Sequence, residues 1–177
     1  EQVTPRMIAE AADANIASIN YYFRTKDQLM DQALKITITH MLEDVLVAIE
    51  DEEKPFRRTI HEIFYYLIAG TQANPGISTA HLYSLIVEKD YQSITGQSFL
   101  AAFEKLVDRA EEALPEADAG YLSIILASIF SAIMFMMLTP GFFPIPQQYD
   151  LAEEEGLQAL AAYFTEMFFT MLEARSS

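Results

Sequence analysis

The stretch that decides the fold is VTPRMIAEAADANIASINYYFRTKDQL, which runs from Val3 to Leu29. Thr4 followed by Pro5 is typical of a helix start, because threonine caps the first free N–H groups and proline at the first helical position has no N–H to leave unpaired. The segment Asp13-Ala14-Asn15 ends this helix, and a second short helix is predicted from Ile16 to Phe23. Two short helices joined by a tight turn predict a helix-turn-helix unit.

A long third helix follows at once. Thr25 and Gln28 form a capping box at its start, and apolar residues then recur at helical spacing to about Glu50. At 1.5 Å per residue this helix spans roughly 35–40 Å, long enough to link two regions rigidly. Further helices are predicted at residues 55–73, 78–90, 98–114, 119–138 and 151–174, and no strand-like alternation competes with them. The sequence predicts an all-α protein, with a helix-turn-helix domain at residues 1–35 and a larger helical domain at residues 36–177.

The composition limits the classes of function. The chain has 177 residues, 51% of them hydrophobic, and 0 Cys, which excludes disulfide scaffolds, thiolate metal sites and cysteine nucleophiles and fits the cytoplasm. The formal net charge of -15 repels polyanions, so any nucleic-acid contact must be local. Residues 1–35 carry a net charge of only -1, which leaves -14 on the rest of the chain.

The second helix has two different faces. Ile19 and Phe23 lie four residues apart and can pack on a shared core, while the polar and aromatic residues Ser18, Asn20, Tyr21 and Tyr22 lie elsewhere on the helix. Hydroxyl, amide and aromatic groups at this density suit contacts with base edges and phosphates in a DNA groove. Lys26, next to the free N–H groups that begin at Thr25, is placed to hold a phosphate.

The same residues resemble the DNA-binding module of the TetR (tetracycline-repressor-like) family. The resemblance covers about 27 residues and takes in the Thr4-capped helix, the recognition helix ending Tyr21-Tyr22-Phe23, and the run Arg24-Thr25-Lys26-Asp27-Gln28-Leu29. It implies a dimeric, ligand-responsive transcriptional repressor that binds palindromic operator DNA. By resemblance, Ser18, Asn20 and Tyr21 meet bases or backbone, and Tyr22 and Lys26 meet phosphate. Thr4 and Thr25 are also expected to contact DNA.

Three features depart from the family pattern. Asp13 stands where a turn glycine is usual, and it must tolerate a left-handed backbone. Asn20 replaces the commoner tyrosine, and Tyr22 replaces the commoner histidine. The family's first helix has no counterpart before Thr4, so the DNA-binding module is expected to be incomplete, with the absent stretch expected to be basic.

The carboxy-terminal part is expected to supply a ligand pocket and a dimer interface. The ligand pocket is implied by the family, and a small apolar effector is expected to contact His61, Phe64, Tyr65, His81, Tyr83, Phe99, Phe103 and Met134. Resemblance also suggests that the last two helices of each subunit form a four-helix interface. On the last helix the predicted interface residues are Leu157, Ala161, Phe164 and Phe168. Ordinary core packing is the alternative for both sets.

Catalysis and metal binding find little support. The three histidines are isolated from one another, and no glycine-rich phosphate loop or nucleophile elbow occurs, so we predict no enzyme, no cofactor and no metal. Two rival functions remain. One is a helical ligand-binding or scaffold dimer without DNA binding. The other is a membrane protein anchored by Tyr121 to Leu138, against which the acidic flanks without Lys or Arg argue.

Overall fold

The structure is a computed structural model that describes residues 4–176, with side chains to residue 175. Residues 1–3, which open the predicted DNA-binding domain, lie outside the described part, as does residue 177. The described residues form eight α-helices, one 3-10 turn at Gln147–Tyr149, and no strand. The helices are α1 (Pro5–Ala11), α2 (Ile16–Tyr22), α3 (Lys26–Glu50), α4 (Phe56–Ala73), α5 (Pro75–Ile86), α6 (Ile94–Ala113), α7 (Ala119–Leu138) and α8 (Glu154–Ser176). The prediction of an all-α fold is confirmed.

Helix caps explain most of the boundaries. Thr4, Asn15, Thr25 and Asp118 each accept a backbone N–H through the side chain at the start of a helix. Three starts differ from the sequence prediction by three or four residues. Helix α8 begins at Glu154 instead of Leu151, because residues 151–153 form a turn. Helix α5 begins at Pro75 instead of Ser78, because proline fits the first helical position. Helix α6 begins at Ile94 instead of Ser98, because Ser93 Oγ accepts the Gly96 N–H.

Helix α4 lies at the centre of the larger domain. It packs against α3, α5, α7 and α8, while α3 also packs against α6. The main core is aliphatic and aromatic, with Ile60, Phe64 and Ile68 of α4 among its fully buried members. Rings of Phe64 and Phe164 meet edge to face with centroids 6.5 Å apart. Burial of this kind is the main source of the domain's stability.

Helix α7 is buried on one side only. Its buried side includes Leu122, Ile125 and Ile129, whereas Ile124 and Phe135 are 60% and 56% exposed. The helix is long and apolar enough to cross a membrane, with a mean hydropathy of 2.3, and 39% of this apolar stretch is buried inside the protein. Length and composition alone are weak evidence for a span, since core helices of soluble proteins have the same properties.

The predicted interface on the last helix needs correction. Ala161, Phe164 and Phe168 are almost completely buried within the subunit's own core, against α4 and its neighbours. A side chain already covered by its own subunit has no surface left to offer a partner. The prediction is therefore wrong at these three positions, for which core packing was the alternative. Leu157 is half-buried against the same core.

Candidate nucleic-acid interface and apolar cavity

The first two helices form a small bihelical unit. Ala9 of α1 and Ile19 of α2 are buried where the helices pack together. The turn between them closes through the Ala14 N–H, which donates to the Ala9 carbonyl at 2.9 Å. Asp13 adopts a left-handed backbone with φ of 48°, as its place in the turn requires. An aspartate accepts this conformation more readily than most residues, which explains how the turn forms without glycine.

The polar face of α2 is open to solvent. Ser18 and Asn20 are exposed, and Tyr21 and Tyr22 are 80% and 72% exposed. The two tyrosine rings meet edge to face with centroids 5.3 Å apart. The helix presents hydroxyls, an amide and two phenol rings side by side, which is the chemistry that reads or grips a DNA groove.

The two predicted threonine contacts serve as helix caps. Thr4 Oγ1 accepts the Met7 N–H at 3.3 Å, and Thr25 Oγ1 accepts the Gln28 N–H at 3.2 Å. A capping hydroxyl still carries its own proton, which it can donate to a phosphate oxygen. Lys26 follows directly as the exposed first residue of α3. This helix start therefore combines a hydroxyl, a cation and the positive end of a helix dipole.

Arg24 is a candidate contact that the site prediction omitted. It is exposed between Tyr22 and Lys26, and none of the ion pairs among the described residues involves it. By contrast, the Arg6 guanidinium already pairs with Glu10 at 3.1 Å. The signal was present in the sequence, because Arg24 belongs to the same basic run as Lys26.

An apolar cavity of about 280 Å³ lies between α3, α4, α6 and α7. Its walls are formed by Leu42, Val45, Ile49, Ile63, Phe64, Leu67, Phe99, Leu100, Ala102, Phe103, Leu106, Leu126, Ala127, Phe130 and Ser131. Ser131 supplies the one hydroxyl in this set, and it donates to the Ala127 carbonyl of its own helix at 2.8 Å. The cavity therefore offers an incoming molecule apolar contact and very little hydrogen bonding.

A second, much smaller cavity of about 20 Å³ adjoins the first. Leu42, Val45, Leu67 and Phe99 line both cavities and form the wall between them. The small cavity differs in chemistry, because Thr71, Ser78 and His81 also line it.

The predicted ligand residues divide among several places. Phe64, Phe99 and Phe103 line the large cavity, and Phe99, His81 and Met134 line the small one. The other three lie outside both cavities. His61 Nε2 pairs with Gln158 Oε1 at 3.0 Å, Tyr65 donates its hydroxyl to Glu154 at 3.0 Å, and Tyr83 is 53% exposed. These three side chains would not contact a molecule held in either cavity.

His81 connects three helices. The ring is fully buried on α5, with Nε2 2.9 Å from Thr37 Oγ1 of α3 and Nδ1 3.0 Å from Thr95 Oγ1 of α6. Thr37 already donates its hydroxyl proton to carbonyls of its own helix, so it accepts from Nε2–H, and Nδ1 in turn accepts from Thr95. Burial lowers the pKa of His81, which favours the neutral form of the ring. Both ring nitrogens are thus committed within the protein.

Metal-binding chemistry is not gathered at one place. No group of three or more His, Asp or Glu side chains within residues 4–175 is arranged to hold an ion. The functional surfaces that the structure does assemble are the exposed face of α2 and the two adjoining cavities.

Comparison with known proteins bears on the first of these surfaces. Residues 1–33 match the family described as bacterial regulatory proteins, tetR family. Comparison of the chain with curated proteins gives no significant match. The match covers α1, α2 and the start of α3, where the exposed recognition face and the capped helix start lie. The chain therefore carries the DNA-binding module of the tetR family at residues 1–33, which identifies it as a DNA-binding transcriptional regulator.

Proposed function

We propose that this regulator is a cytoplasmic one-component repressor, in which a homodimer binds a palindromic operator and a small apolar effector releases it. The exposed polar face of α2 is the single observation that carries the DNA-binding part. This helix of seven residues buries Ile19 and leaves four polar or aromatic side chains in solvent, so that face is free to contact a partner. Operator DNA supplies complementary phosphates and base edges.

A DNA-binding titration tests this assignment. We expect Lys26→Glu to weaken binding to DNA from upstream of the protein's own gene, uniformly across sequences, because a phosphate contact is lost and a repulsion added. Ser18→Ala and Asn20→Ala should instead change the preference among operator variants, by about 1–3 kcal/mol at a contacted base. Lys89→Glu is the matched control, since Lys89 is exposed in the turn after α5 and lies outside the matched module.

The outcome also separates the proposal from its rival. The repressor is supported if the wild-type affinity for DNA falls as the salt concentration rises. In addition, Lys26→Glu should lower the affinity at a given salt concentration, and Lys89→Glu should not. Equal affinities for all variants would refute the site assignment, whereas a wild type without salt-dependent affinity for this DNA would favour a helical ligand-binding or scaffold dimer without DNA binding.

The dimer interface is assigned to the exposed faces of the last two helices. On α7 the side chains of Ile124 and Phe135 are exposed, and the rings of Phe142 and Phe143 extend this apolar surface beyond the helix end. Between them, Ser128 donates its hydroxyl to its own helix, so this part of the face presents little polarity. A continuous apolar surface of this kind suits a two-fold contact with a second copy.

The large cavity is the proposed effector site. An engineered apolar cavity of 150 Å³ accepts benzene, so about 280 Å³ accepts a molecule roughly twice that size. Helix α3 contributes Leu42, Val45 and Ile49 to the wall and carries Lys26 at its other end. An effector that binds one orientation of α3 more tightly shifts the dimer away from the operator-binding conformer, with a coupling of about 1–3 kcal/mol.

A further inference from the structure

The small cavity contains a polar group without a partner. Ser78 is 4% exposed, lines this cavity, and its Oγ has no hydrogen-bond partner among the described residues. Serine at this position of a helix can donate to the carbonyl four residues earlier, yet here that carbonyl, on Asn74, receives only the backbone N–H of Ser78. A buried hydroxyl left unpaired is costly, by about 1–3 kcal/mol, so such groups usually have a functional or solvent partner.

Of the other polar side chains that line this cavity, His81 is already engaged. His81 lies one turn further along α5 and uses both ring nitrogens to bind Thr37 and Thr95. No charged side chain of the described residues lines either cavity. A charged ligand group would therefore lose its hydration without compensation, whereas a neutral group with one hydrogen bond would be accommodated.

The sizes of the two cavities and their separation limit what kind of group can be the partner of Ser78. A volume of about 20 Å³ exceeds the 10–15 Å³ needed for one water-sized group, so one hydroxyl or carbonyl oxygen fits. Only four side chains separate it from the large apolar cavity, and Phe99, one of them, is half-buried against the ring of Phe130. A ligand that occupied both spaces would have to displace at least one of these four side chains.

We propose that the small cavity is the polar end of the effector site, and that the effector is a neutral amphiphile whose single hydroxyl or carbonyl group bonds to Ser78 Oγ while its apolar body fills the large cavity. This assignment rests on the proposed function for its biological meaning, but the binding chemistry stands on the cavities alone. It also places the ligand's polar end beside His81, the side chain that joins α5 to α3.

A matched pair of probes tests the chemistry directly. 4-Phenyl-1-butanol and butylbenzene share a phenyl ring and a four-carbon chain and differ in one hydroxyl. We expect the full chain to bind the alcohol more tightly, measured by calorimetric titration. Ser78→Ala should weaken alcohol binding about fivefold and leave butylbenzene binding within about twofold, because one net hydrogen bond is lost. Thr79→Ala removes a hydroxyl from the same helix that donates to the Pro75 carbonyl and lines neither cavity, and it should change neither affinity.

A second variant approaches the same space from the opposite wall. Gly70 of α4 lines the small cavity, and a Cβ added there meets no atom within 4 Å. Gly70→Ala should therefore fold normally while reducing the room for a hydroxyl, and so should weaken only the alcohol. A buried water as the sole partner of Ser78 would give equal affinities for both probes in the wild type and in both variants, and that result would overturn the inference.

The test also separates this inference from the proposed function. Adding the alcohol to the DNA-bound protein should release the DNA if both hold. Selective alcohol binding that depends on Ser78 but leaves DNA binding unchanged would support the polar subsite and refute the effector role of the cavity. Release by both probes equally would support the effector role and refute the subsite.

Discussion

Replacing His81 by phenylalanine should destabilise the protein, mainly because the buried hydroxyl of Thr95 loses its hydrogen-bond acceptor. The ring is fully buried, and phenylalanine keeps its planar shape while removing both hydrogen bonds. Thr37 still donates its hydroxyl proton to backbone carbonyls, so it loses only the hydrogen bond that it accepts from the ring. Thr95, which is 2% exposed, loses the acceptor for its proton. Leaving that donor unpaired costs about 1–3 kcal/mol, so with the lost bond to Thr37 we expect a total near 2–3 kcal/mol.

A double-mutant cycle isolates this contribution. Thr95→Val alone leaves His81 Nδ1 without a donor and should also cost about 1–3 kcal/mol. The double variant has apolar groups on both sides of the former bond, so its loss should be smaller than the sum of the two single losses by about 1–2 kcal/mol. Any steric cost of the larger ring appears in both arms of the cycle and cancels. The measurement is urea unfolding followed by far-ultraviolet circular dichroism at fixed protein concentration.

The pH dependence gives an independent check. Because burial lowers the pKa of His81 in the folded state, the unfolded chain takes up a proton first as the pH falls. Stability due to the neutral ring is complete above the ordinary histidine pKa of about 6.5 and is lost as the pH falls below it, by at most about 1.4 kcal/mol per pH unit. His81→Phe should lose less stability than the wild type between about pH 7.5 and pH 5.5. The described bonding would be refuted if the stability losses of the two single variants were additive in the double variant and if stability depended on pH in the same way in His81→Phe and in the wild type.

Three further variants test other parts of the structure. Ile124→Glu should convert a dimer to a monomer, measured by sedimentation velocity, and should weaken operator binding. Val47→Glu, at an exposed apolar residue on α3, should do neither. A dimeric Ile124→Glu protein would place the interface elsewhere. Phe164→Ala should lower the free energy of unfolding by about 3–5 kcal/mol, because the ring is 2% exposed in the core, and a loss below about 1 kcal/mol would contradict that burial. Thr25→Ala should cost about 1 kcal/mol by removing the cap of α3, measured by thermal unfolding, with the opposite result being an unchanged melting temperature.

Local signals predicted the helices well, because each boundary depends on a few neighbouring residues. Thr4 and Thr25 act as the caps that the sequence indicated, and Asp13 takes the left-handed backbone expected of it. Helices α5 and α6 begin earlier than predicted, because Pro75, which is a signal for the end of α4, also begins α5, and because Ser93 caps α6.

The larger domain was harder to predict, because its site depends on which helix packs on which. The apolar stripe of α8 indicated burial correctly but could not say whether the partner was the same subunit or another. Phe164 and Phe168 prove to face their own core. Likewise, aromatic residues at helical spacing cannot reveal an empty volume, which forms only where four helices fail to fill the space between them.

Because α3 is one continuous helix, small movements at the cavity displace its other end, where Lys26 lies, by a larger distance. Leu42, on the cavity wall, lies sixteen residues from Lys26 along one continuous helix, or about 24 Å at 1.5 Å per residue. A tilt of about 5° pivoting at Leu42 therefore displaces the Lys26 end by roughly 2 Å, and in a symmetric pair the two displacements add. Because α3 is this long, a side-chain adjustment at the cavity changes the spacing between the Lys26 ends of the two subunits, and a rigid DNA groove would no longer match that spacing.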